Sequence, residues 1–192
     1  AIFNQLFDKA ALGPMFERYM RGALNLLMDD MVNEPATIVD IPRVFTDEEF
    51  RKRKIARSKN QQVIDFWTKE VAKTSGDQSL GNFAPYISSK FDGFIANDYI
   101  RPIIGQPKPS FDFRRAMDEG KIILVNLSKG KIGDISSALL GMVIVGKVLK
   151  AALSRVDIEE KNRRDFYLYI DEFQNYTTDS IATILSEARK YR

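Results

Sequence analysis

The stretch FYLYIDEFQNY, residues 166–176, sets five apolar side chains in front of two adjacent carboxylates. An unpaired charge is expensive inside a core, so Asp171 and Glu172 belong where the apolar run ends and the chain meets water. Two neighbouring carboxylates repel unless a cation or a water network holds them. The composition narrows the chemistry further. The chain has no cysteine and no histidine, which removes disulfides, thiolate metal sites, cysteine nucleophiles and imidazole catalysis. Proton transfer near neutral pH then falls to carboxylates, lysine, tyrosine or a metal-bound water.

Elements must place those acids. A chain of 192 residues that is 44% hydrophobic and 11% aromatic is long and apolar enough for a sizeable core. Net charge is only +3, so any nucleic-acid contact needs local clustering of cations. No uninterrupted run of 18 apolar residues is present, from which we expect no membrane span. The chain opens without methionine directly into a helical pattern and closes on SEARKYR in mid-pattern. We expect a segment of a longer protein.

Two regions follow from the patterning. Residues 1–109 read as an all-α subdomain. Met15, Phe16, Tyr19, Met20, Ala23, Leu24, Leu27 and Met31 keep a spacing of three or four and give one helix an apolar face. Thr46 and Glu49 have the spacing of a capping box for the next helix. Amphipathic segments follow around Val63, Phe66, Trp67 and Val71, and around Phe83, Tyr86, Ile87, Phe91, Phe94 and Ile95. The proline-rich RPIIGQPKPS marks a boundary. In residues 110–192, FDFRRAMDEG reads as a short helix closed by Gly120. KIILVNL reads as a strand, residues 135–153 as a long apolar helix, and FYLYI as a second strand. Strand, helix and strand without strict alternation predict an α/β class with a parallel βαβ unit, both strands ending on one edge. Ligands of open α/β sheets bind at that edge, which is where Asp171 and Glu172 would stand.

Apolar residues followed by Asp-Glu form the Walker B pattern of P-loop ATPases, in which the aspartate serves the magnesium shell and the glutamate polarises water. A solvated strand end reads the same way. A Walker A partner is not found. Gly141–Val148, GMVIVGKV, has the spacing Gly-x-x-x-x-Gly-Lys, but it lies in the helical pattern and Val148 stands where a hydroxyl is needed. An amide already bonded within a helix cannot cradle phosphate. Gly141 and Gly146 read better as sites of close helix packing. Lys129 and Lys131 in SKGKIGD read as solvated loop lysines.

Taken together, MDEGKIILVNLSKG, the apolar helix, FYLYIDEFQNY and ILSEARKYR resemble the motor domain of the type IV secretion coupling proteins, which belong with conjugative RecA-like DNA-pumping ATPases. The resemblance covers residues 110–192 and extends loosely over the helical region, where that family inserts an all-α subdomain into the motor. It implies a partial RecA-like P-loop NTPase motor with that insertion, a segment of an ATP-driven DNA translocase. It implies ATP and Mg2+ as cofactors, Asp171 on the magnesium shell through water, and Glu172 as general base. Arg189 falls where these ATPases place an arginine that reaches a neighbouring subunit's nucleotide, with Lys190 as the alternative and a solvated helix end as the plain reading. Implied partners are DNA or a DNA–protein substrate, the secretion machinery and further copies in a hexamer, at the cytoplasmic face of the inner membrane. With no Walker A in residues 1–192, this segment alone is expected to be inactive.

The helical region carries RKRKIARSK, residues 51–59. Arg51, Lys52, Arg53 and Lys54 are candidates for DNA phosphates. A solvated basic face balanced by Asp47, Glu48 and Glu49 is the competing reading. Gln174 and Asn175 read as caps of the following helix. The rival functional class is a non-catalytic helical interaction module on a degenerate motor.

Overall fold

A computed structural model describes residues 2–7, 12–74, 79–176 and 191. The chain divides into two compact units, one of residues 10–108 and one of residues 1–9 with 109–192.

In the first unit the helices are α2 (Gly13–Asp29), α3 (Ile41–Thr46), α4 (Glu48–Arg57), α5 (Gln61–Asp65), α6 (Leu80–Ile95) and α7 (Arg101–Ile104). Pro14 opens α2, where its missing N–H is no loss. The face that α2 buries is Phe16, Tyr19, Met20, Ala23, Leu26 and Leu27. Leu24, Met28 and Met31 stay exposed, and the helix stops at Asp29. The start of α4 is also set differently from the expected box. Thr46 is the last residue of α3, its hydroxyl donating to the Pro42 carbonyl at 3.1 Å. Asp47 is the extended residue instead and caps α4 by accepting from the Phe50 amide at 2.9 Å.

Beyond α5 the helix widens into a π-turn over Phe66–Glu70. That extra residue brings Phe66 and Trp67 together onto α2. Trp67 Nε1 donates to the Gly22 carbonyl at 3.3 Å. A Cβ on Gly22 would lie 2.2 Å from the Phe66 ring. Tyr19 joins this seam to α6 and α3, with ring centroids 4.8 Å from Phe83 and 6.2 Å from Phe45.

The second unit holds α1 (Ile2–Leu6), α8 (Phe113–Asp118), α9 (Lys129–Ile132) and α10 (Asp134–Leu153). Asp112 caps α8 by accepting from the Arg115 amide at 3.0 Å. Gly120 closes the turn at φ +65, where only glycine is unstrained. The Arg164 guanidinium also lies so near that a Cβ on Gly120 would be 2.3 Å from its Cζ.

The expected α/β motor piece is not present: the described residues are helical and contain no strand. Residues 121–127 and 164–170 carry neither helix nor ladder. Their side chains nonetheless divide between inward and outward, without strict alternation, since Val125 and Leu168 are exposed as well. Phe166 packs on the cluster of Met117, Val148 and Ala151, and Leu127 and Ile170 pack on Val145 and Tyr176. Between them Ile122, Leu124, Tyr167 and Tyr169 point outward, 88%, 91%, 72% and 89% exposed. The β-branched and aromatic residues thus set which side chains face α10, but a sheet also requires paired backbones. The two runs share a helix as support without sharing hydrogen bonds, so no parallel βαβ unit and no P-loop motor piece forms among the described residues.

Gly141 and Lys147 lie inside α10, so no phosphate-binding loop forms there. Gly141 takes the ring of Tyr176, whose Cδ1 would be 2.1 Å from a Cβ, whereas Gly146 faces open space. Residues 134–157 are long and apolar enough to cross a membrane by length and composition, with a mean hydropathy of 1.7 over their most apolar window. Half of that window is buried within the structure.

Because the Phe66 ring already occupies the space above Gly22, Gly22→Ala should lower stability by about 1–3 kcal/mol in urea or thermal denaturation. That is opposite in sign to the gain of about 1 kcal/mol that helix propensity alone gives. A stabilised variant would contradict the α2–Trp67 seam.

Candidate functional site

The acidic turn is held at both ends by α10. Ile170, immediately before it, and Tyr176, just after it, meet in one cluster with Val145 and Leu127. Residues 171–175 therefore leave and re-enter the same apolar patch. Within the turn, the Glu172 amide donates to Asp171 Oδ1 at 3.0 Å. Glu172 takes the left-handed conformation, φ 51 and ψ 43, and it alone does so among the described non-glycine residues. Its carbonyl accepts from the Asn175 amide at 2.9 Å. The left-handed region costs an L-residue about 1–2 kcal/mol.

Gln174 turns back on this loop, donating its side-chain amide to the Glu172 carboxylate. The helix that Gln174 and Asn175 were expected to cap lies outside the described residues, as do Arg189 and Lys190. Asp171 and Glu172 are both exposed, and among the described residues neither forms an ion pair. Among the described residues no group of three or more acids could enclose a metal ion. The turn offers two adjacent exposed carboxylates. It does not fit an all-protein metal cage.

The basic run is placed quite differently. Lys54 and Asp30 are both fully buried, with Nζ 2.9 Å from Oδ2. Lys54 also donates to the Glu34 carbonyl at 2.7 Å. Arg53 grips Glu34 through two hydrogen bonds of 3.1 Å, and Arg57 reaches the same carboxylate at 3.0 Å. Lys52 pairs with Glu48 at 2.8 Å. Arg51 donates to the Val44 and Phe45 carbonyls at the end of α3. The charge run thus ties α4 to α3 and to the loop after α2. Lys54 continues the buried face one turn beyond Phe50, a spacing that the count of cations obscured. At the edge of the second unit, Lys129 lies 3.7 Å from Asp134.

Electrostatics follow from this pairing. Burial alone would push the Asp30 carboxyl up, but hydrogen bonds from Lys54 and Asn33 and the charges of Lys54 and Arg57 outweigh it and hold it below 3.8. The Arg53 hydrogen bond, against partial burial, holds Glu34 below 4.5. The Arg51 guanidinium is shifted down by its own burial.

A second ion cluster escaped the sequence reading. Arg155 is fully buried, its Nε 3.2 Å from Asp118 Oδ1, and it donates to the carbonyls of Arg164 and Tyr191. Arg114 bonds the other oxygen of Asp118 at 2.6 Å, the Ser154 carbonyl at 2.6 Å and Asp157 at 2.7 Å. Arg163 donates to the Arg155 and Ile158 carbonyls. These contacts fasten α8, the end of α10 and the loop that leads into residues 166–170. The signal was present: Val148, Ala151 and Arg155 keep the three-and-four spacing of one buried face.

No protein-family model matches the chain, and no match is found among curated proteins or solved structures.

Removing one partner of a buried ion pair strands the other, so Asp30→Asn should lower stability by about 3 kcal/mol, and pairing Asp30→Leu with Lys54→Met should restore much of the loss. Since Asp30 and Glu34 titrate below their ordinary values in the folded state, their stabilisation is fully present above pH 4.5. It is lost as the pH falls through the depressed folded values. Urea denaturation from pH 7 to 3 should show this decline in wild type and a shallower one in the double variant. Equal slopes would contradict the pairing.

Proposed function

We propose that the chain is a segment of an ATP-driven DNA translocase of the conjugative coupling class. One observation carries the reading: an exposed Asp-Glu pair without a cationic partner among the described residues, on a backbone turn that an ordinary residue adopts only under strain. Strained turns of this kind concentrate at functional sites. The resemblance of residues 110–192 to the coupling-protein motor supports the same reading.

In this reading Asp171 would help hold Mg2+ through water, while its Oδ1 is engaged by the Glu172 amide. Glu172 accepts a proton from the attacking water on the carboxylate oxygen that Gln174 leaves open. Bound Mg2+ would supply charge stabilisation for the transferred phosphoryl group. The phosphate-binding loop is not among these residues, so nucleotide is gripped mainly by other parts of the protein. Arg189 serves a neighbouring copy's nucleotide, and hydrolysis depends on assembly into a ring, with a hexamer as the proposed state. DNA or a DNA–protein substrate and the secretion machinery at the cytoplasmic face of the inner membrane are the proposed partners.

A second reading, a non-catalytic helical interaction module, is favoured by one observation. The first unit pairs cations of α4 internally while leaving Leu24, Met28 and Val32 exposed along one side of α2 and just beyond it.

The two readings separate on one substitution. In the protein that carries this segment, Glu172→Gln should reduce ATP turnover by about 10²–10⁴-fold, the usual contribution of a positioned general base, while ATP binding is retained. Turnover within a few fold of wild type would remove Glu172 from the mechanism. A wild-type protein without hydrolysis would favour the interaction module.

A further inference from the structure

We draw no further inference here: the strongest candidate, the outward apolar face of Ile122, Leu124, Tyr167 and Tyr169 on the two unpaired runs beside α10, carries nothing because no feature of the structure shows what covers it.

Discussion

The apolar surface of α10 is the constraint on which the second unit depends. It receives Phe166 at one end and Leu127, Ile170 and Tyr176 at the other. Ile170 and Tyr176 pin the two ends of the acidic turn to a single patch, and closing so short a loop between fixed ends leaves few backbone solutions. The left-handed Glu172 is the solution adopted, with its strain of about 1–2 kcal/mol offset by the packing on either side. Gly141 is part of the same arrangement, since any side chain there would displace the Tyr176 ring.

Dense charge is handled mainly by internal pairing. Around α4, cations and carboxylates meet at hydrogen-bonding distance, and Lys54 and Asp30 are withdrawn from water altogether. Such a pair adds little net stability relative to apolar residues, but it tolerates no single substitution. It fixes how α4 meets the loop after α2. The Arg114–Asp118–Arg155 cluster does the same for α8 and the end of α10. Against that background, Asp171 and Glu172 form no ion pair among the described residues, as is also true of the exposed Asp92 and Asp98.

Much of the helical framework was legible in the sequence because helices are local. Apolar spacing located α2 and α6, the long apolar run located α10, and Gly120 marked the end of α8, where the structure gives it a positive φ. The cap of α4 was misplaced by one residue because α3 runs to Thr46, a boundary that tertiary packing sets. The parallel unit was misread for a different reason. KIILVNL and FYLYI encode an extended chain with one side turned to a helix, but strand pairing is a relation between segments, and no composition of a single segment guarantees it. Burial of Lys54 and Arg155 was concealed by the habit of reading cations as surface residues. Their positions on otherwise apolar faces were the better guide. For the candidate site, the adjacency of Asp171 and Glu172 was evident at once. The backbone turn that aims them depends on Tyr176 finding Gly141, a contact no local pattern reveals.

The proposal is that Asp171 and Glu172 serve a hydrated divalent cation beside triphosphate. It is tested most directly by titrating a non-hydrolysable ATP analogue into the protein that carries this segment, with and without Mg2+, for wild type and Asp171→Asn. The account predicts that Mg2+ tightens binding to wild type and that Asp171→Asn loses about 10-fold or more of that gain, as outer-shell ligands commonly do. An affinity indifferent to Mg2+, or one that Asp171→Asn leaves unchanged, would contradict it.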